Sequence, residues 1–176
     1  AGGRVMNART DTAGATLPPL ERPSRDKLGV YGDVMFLAFR SPRHTRMQVS
    51  LLRTYFEPAI ELGQFRIFRF DDVPRGMCTW GWLNGEAEEK LTTGEALEPE
   101  DWQSGDRLWI IDLIAPYKGL TASMVRWIMQ RGNFSEDQFW FRRVADDNST
   151  SRIVHIDFDR TRLSRVMGEE EFLRGH

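Results

Sequence analysis

The chain has 176 residues, with 24 Lys plus Arg against 26 Asp plus Glu and a net charge of −2. That length suits about one domain, and the near-neutral balance removes the usual electrostatic case for a general nucleic-acid or anionic-membrane binder. The single cysteine, Cys78, excludes an intrachain disulfide and a cysteine-built metal cluster, while 40% hydrophobic content with six Trp and eleven Phe excludes disorder for most of the chain.

Residues 1–26 are rich in Gly, Ala, Thr, Pro and Arg and lack a periodic apolar face, so they read as a flexible extended arm before one domain over 27–176. No apolar run approaches the roughly 20 residues of a membrane-spanning helix, and none in the arm suits a secretory signal. LGVYGDVMFLAF, from Leu28, reads as a helix closed by SPRH, because Pro42 disfavours helical geometry at Ser41. From Thr45 to Leu62 the apolar positions fit a second helix, with Gly63 placed to cap it. QFRIFRF, a DDVPRG turn and GMCTWGWL read as a β-hairpin. Asn84 to about Leu91 reads as a short helix, and Gly94 to Pro99 as a loop. RLWIIDLIA, Arg107 to Ala115, is an apolar run suited to a strand buried on both faces. A helix follows over LTASMVRWIMQR, then strands from Gln138 to Val144 and from Arg152 to Phe158, and a charged helix from about Asp159. This order indicates an α+β, layered α/β domain.

Asp112 is the one acid inside the apolar run, and its burial requires a partner. Backbone amides or an arginine such as Arg107 would satisfy it structurally; alternatively it orients a catalytic base. The candidate bases are His44, His155 and His176. His176 is terminal and His155 falls in a surface strand, whereas His44 follows Ser41 and Pro42 at a junction between helices, where a side chain either caps or faces a cleft. Cys78, in a Trp-rich strand, reads as a packed core thiol rather than a reactive nucleophile.

The segment EDWQSGDRLWIIDLIAPY (Glu100 to Tyr117), with SPRH at Ser41 to His44 and VSLL at Val49 to Leu52, closely resembles the toxin-activating lysine acyltransferases, small cytoplasmic proteins that acylate RTX protoxins. The likeness continues through EPAI, QFRIFR, DDVP and MCTW (Met77 to Trp80) and covers about Val30 to Tyr117. It implies a fold similar to the GCN5-related N-acetyltransferases: a mixed, mostly antiparallel sheet flanked by helices. The implied reaction moves a fatty acyl group from acyl carrier protein to internal lysine ε-amino groups of an RTX protoxin. His44 and Asp112 then fall on the family's essential His and Asp, with His44 as general base in preference to covalent acyl carrier. Ser41 becomes a supporting or oxyanion residue. Lys118 and Gly119 in PYKG, and Arg142 and Arg143 in FWFRRV, become candidates for holding the donor. Tyr117 and the Trp-rich strands become candidates for lining an acyl channel. The resemblance further implies a cytoplasmic homodimer with no metal and no tightly bound cofactor, the acyl group arriving on the phosphopantetheine thioester of acyl carrier protein. Other readings keep the fold but change the acceptor amine, or leave an inactive module that binds carrier or protoxin. Thr45, Arg46, Met47 and Gln48 stand where the family has an aromatic residue and a proline, which opens the question of acceptor and acyl chain.

Overall fold

The computed structural model describes residues 12–13, 23–159 and 165–175. Nearly all of the expected arm lies outside them. Helix α1 (Arg25–Ala38) begins just inside it, capped by Ser24, whose Oγ accepts from the Lys27 amide at 3.1 Å. The second expected helix is two elements: α2 (Pro42–Thr45) and α3 (Val49–Leu62). Gln48 between them is extended, so α3 starts afresh there, and it ends as expected at Gly63 with φ 69°. The apolar spacing runs through the break because Met47 packs into the same core as α3.

Strands β1 (Phe65–Phe70) and β2 (Val73–Leu83) form the hairpin. Its turn is only Asp71–Asp72, both at positive φ, and the expected DDVPRG turn gives Val73 to Gly76 to the strand. Pro74 is tolerated because β2 pairs with β3 (Arg107–Ile114) only from Met77 onward. Between these strands lie α4 (Gly85–Thr93), capped by Asn84, and a 3₁₀ turn at Pro99–Trp102. After β3 come α5 (Leu120–Ile128), β4 (Gln138–Val144) and β5 (Thr150–Asp157). A three-residue strand β6 (Arg165–Met167) then precedes α6 (Glu169–Arg174), where a continuous helix from Asp159 was expected. Three residues are too few for alternation to register.

The six strands form one sheet in the order β1-β2-β3-β4-β5-β6, antiparallel except for the β3/β4 pair. This is the layered α+β sheet expected. One face carries α1, α3, α4 and α6; the other carries α5, with Met124 and Ile128 buried against Leu108 and Ile110. At Gly76 a Cβ would come within 2.7 Å of Leu120 Cδ2 and 2.9 Å of the Ile114 carbonyl, so glycine sets the approach of β2 to α5. No helix among the described residues is long and apolar enough to cross a membrane.

Two features of β3 shape the surroundings of Asp112. Thr79 opposes Asp112 while Trp80 opposes Ile110, so Ile111 is an extra, bulged residue. Ile111 packs with Ala59 and Trp102, and Ile114 with α1 and α3, whereas Ile110 and Leu113 pack with the α5 cluster. The bulge thus puts Ile111 and Asp112 in succession on the α1–α3 face. Second, β3 and β4 oppose each other only at Trp109/Trp140 and Ile110/Phe141. Beyond these pairs no ladder pair joins the two parallel strands toward their C-terminal ends.

Candidate active site

Asp112 and His44 are both buried, at 5% and 1% exposure, and they meet: His44 Nε2 lies 2.6 Å from Asp112 Oδ2. Helix α2 brings His44 there, its ring packed 5.6 Å from Phe56 of α3. His44 is therefore on a short helix and not in a loop. Ser41 precedes that helix but makes no side-chain cap; its Oγ lies 2.6 Å from His44 Nδ1. Ser41, the supporting or oxyanion candidate, thus bonds the imidazole directly.

Burial alone would push the Asp112 carboxyl up. The charge of His44 and its hydrogen bond, then Arg43, outweigh burial and hold the group well below the usual carboxylate range. An ionised carboxylate only accepts, so Nε2 carries the imidazole proton in the neutral ring. Nδ1 then presents the lone pair, and the Ser41 hydroxyl donates to it. The line Ser41–His44–Asp112 can carry a proton from the half-buried serine to a buried, oriented base.

Asp112 takes every kind of partner considered for it. Oδ1 accepts from the Leu113 amide at 2.9 Å and from the Arg43 guanidinium, while the Asp112 amide donates to Thr79 Oγ1 at 3.1 Å. The arginine is Arg43, not Arg107, which sits by Glu88 at 3.4 Å and over the Trp140 ring. Arg43 is the site contact that the sequence did not single out; its place beside His44 in SPRH was the available signal.

The donor candidates fall in two places. Lys118 and Gly119 form the exposed turn between β3 and α5, Gly119 at φ 80° as the N-cap of α5. Arg75 of β2 lies over Tyr117 of that turn at 4.9 Å, adding a second basic group. Arg143 is exposed, but Arg142 is buried, its guanidinium bonded to Tyr55 Oη at 2.6 Å and turned inward. Among the Trp-rich strands, Trp80 packs on Trp127 and Phe134, and Trp82 donates to Glu136 at 2.5 Å. His155 stacks on Trp140 at 4.4 Å and pairs with Gln138.

Cys78 is fully buried, and burial pushes its thiol up to about 12. Such a thiol is unreactive at neutral pH. Native protein is expected to resist a disulfide-exchange reagent at pH 8 until denatured. Rapid labelling of the folded protein would show that the Cys78 thiol is reachable and reactive.

The sequence profile of the HlyC family, described as RTX toxin acyltransferases, matches residues 24–157. The chain is 34% identical to the RTX-I toxin-activating lysine-acyltransferase of Actinobacillus pleuropneumoniae over 84% of its own length and 83% of that protein's. It is 31% identical to a protein-lysine myristoyltransferase of Escherichia coli over 85% of both chains. A protein-lysine palmitoyltransferase of Bordetella bronchiseptica is 36% identical over 58% of this chain and 56% of its own.

Proposed function

Because the chain belongs to the RTX toxin acyltransferase family, it is an acyltransferase, and we propose that it moves a fatty acyl group from the phosphopantetheine thioester of acyl carrier protein to internal lysines of an RTX protoxin. In this reading the lysine nitrogen bonds to the thioester carbonyl carbon, the C–S bond breaks, and the proton leaving nitrogen ends on the departing sulfur. A lysine of pKa about 10.4 must first release its ammonium proton to solvent, at a cost of about 4 kcal/mol near pH 7.5, to free the attacking lone pair; a base then takes a second proton from nitrogen as the bond forms. Nδ1 of His44 is that base. The proton reaches it through the Ser41 hydroxyl, which gives one proton to Nδ1 and takes one from the amine. Asp112 keeps the imidazole in the required tautomer and stabilises the imidazolium, which then protonates sulfur.

One observation carries the choice of general base over acyl-histidine. His44 is 1% exposed, with Nε2 held by Asp112 at 2.6 Å and Nδ1 by Ser41 at 2.6 Å. Neither nitrogen is open to carry an acyl group. The donor arm is assigned to the unpaired C-terminal ends of β3 and β4, since ligands of such sheets sit beyond the carboxyl ends of parallel strands. Lys118, Gly119 and Arg75 lie at the turn after β3, where a single phosphopantetheine phosphate would rest; exposed Arg143 suits an acidic carrier protein. The names of the E. coli and Bordetella relatives support a chain of myristoyl to palmitoyl length. A carrier-protein donor places the reaction in the cytoplasm, and the resemblance adds a homodimer, which light scattering at micromolar concentration tests.

The test is incubation of the purified chain with acyl carrier protein thioesters and a protoxin, read by intact mass and by mapping of modified lysines. Lysine acylation dependent on all three components is expected. Transfer only to small amines, or binding without transfer, would overturn the acceptor; an acyl group trapped on His44 from donor alone would overturn the mechanism.

A further inference from the structure

We propose that Arg43 and Asn148 are a positioning pair through which the turn between β4 and β5 holds the transfer site in working geometry; this rests on the reading of His44 and Asp112 as the proton-transfer pair. The Arg43 guanidinium is a fork. Nη2 donates to Asp112 Oδ1, and Nη1 donates to Asn148 Oδ1 at 2.8 Å. Pinning Oδ1 leaves Oδ2 as the oxygen that faces His44. Nη2 also lies 3.3 Å from His44 Nε2. Both atoms carry protons when the ring is in its Nε2–H tautomer, so that contact is no hydrogen bond and is tolerated because Asp112 sits between the two donors.

A long side chain holds such a position only if something holds it in turn. Asn148 does so, and it is itself fixed. Its Nδ2 donates to Tyr55 Oη at 2.8 Å, which settles the carboxamide's orientation, and its carbonyl accepts from Arg142 Nη1 at 3.3 Å. Arg142 also donates to Tyr55 at 2.6 Å, yet its buried Nε has no partner and no carboxylate pairs with it among the described residues. Asn148 adopts φ 67°, a left-handed conformation that Asn reaches more readily than most residues.

The sheet supplies the reason such a link is needed. Past Ile110/Phe141 no ladder pair ties β3 to β4, and Asp112 lies beyond that point. The Arg43–Asn148 bond spans the gap, joining Asp112 on β3 and the α2 helix to the turn after β4. Neither residue touches a reacting atom in the proposed mechanism, so both act through Asp112 and His44.

Asn148→Gly removes the side chain while keeping the positive φ accessible. With the full chain, acyl carrier protein thioester and protoxin, kcat is expected to fall about ten- to hundredfold, with each KM within about twofold of the parent. Asn148→Asp still accepts from Arg43 and is expected to recover most of that loss. Arg43→Met, which also takes the counter-charge from Asp112, should fall at least as far as Asn148→Gly, and the double variant should be no slower than Arg43→Met alone, since the link is broken once. A kcat within about twofold of the parent in Asn148→Gly, no recovery in Asn148→Asp, or multiplied losses in the double variant would each overturn the proposal. Should Asn148→Gly fail to fold, Arg43→Met, at a side chain 17% exposed, carries the test against the parent. The ¹⁵N spectrum of the His44 imidazole needs no transfer assay. A fixed Nε2–H form in the parent that is lost in Arg43→Met supports the pair, and an unchanged spectrum counts against it, even if the parent acylates no protoxin.

Discussion

His44→Ala is expected to lower single-turnover acyl transfer by about 10²–10⁴, the range for losing a general base, without unfolding the chain. The buried ring packs on Phe56 and holds Asp112 Oδ2, so its loss costs some stability, but Asp112 Oδ1 keeps Arg43 and the Leu113 amide and the fold is retained. Circular dichroism and a denaturant midpoint establish that the variant is folded. Ser41→Ala separates relay from direct abstraction. If Ser41 passes the proton, its loss lets water or the amine reach Nδ1 less favourably, and the rate should fall less than in His44→Ala. Full activity in His44→Ala would remove the mechanism; equal loss in both variants would make Ser41 an obligatory member.

Much of this arrangement is legible in the sequence, and the reasons differ by residue. The run Arg107–Ala115 announces a buried strand because both faces of β3 are covered, and that context makes Asp112 conspicuous. Gln138–Val144 emerges with its observed bounds because its apolar residues are bounded by polar turns. Ser41 and His44 stand out through a resemblance, and α2 explains their spacing: three residues apart on a helical turn, the hydroxyl reaches Nδ1. What sequence could not show is long-range. The bulge at Ile111 depends on the register with β2, and without it Asp112 would face α5. Arg107 is the natural partner to suspect for Asp112 because it lies in the same strand, yet Glu88 of α4 occupies it. Arg43 reaches Asp112 only because α2 folds over the end of β3. Likewise Arg142 reads from the sequence as a candidate for holding the donor, but β4 lies inside the sheet and Tyr55 draws the guanidinium inward.

Asp112→Asn is expected to be the most damaging single change, in rate and stability together. An amide in that position places a donor against either the Arg43 guanidinium or the His44 Nε2–H. The ring escapes by changing tautomer, which removes the lone pair from Nδ1; in the Ser-His-Asp template that error costs on the order of 10⁴ in rate. The stability loss comes from Arg43, left without its counter-charge. Breaking a buried pair costs about 3–5 kcal/mol, and Arg43, with 17% of its side chain exposed, belongs at the lower end. The pH dependence fixes the sign. Although burial pushes the Asp112 carboxyl up, His44 and then Arg43 hold it below its unfolded value of about 3.9, so its contribution is complete above that pH and is lost as pH falls through the folded value. Denaturant midpoints of parent and variant should therefore differ by a gap that does not narrow between pH 7 and 5 and closes only below about pH 4. A gap already closing at pH 6 would mean that Asp112 is not held as a paired carboxylate, and the orientation of His44 would need another cause.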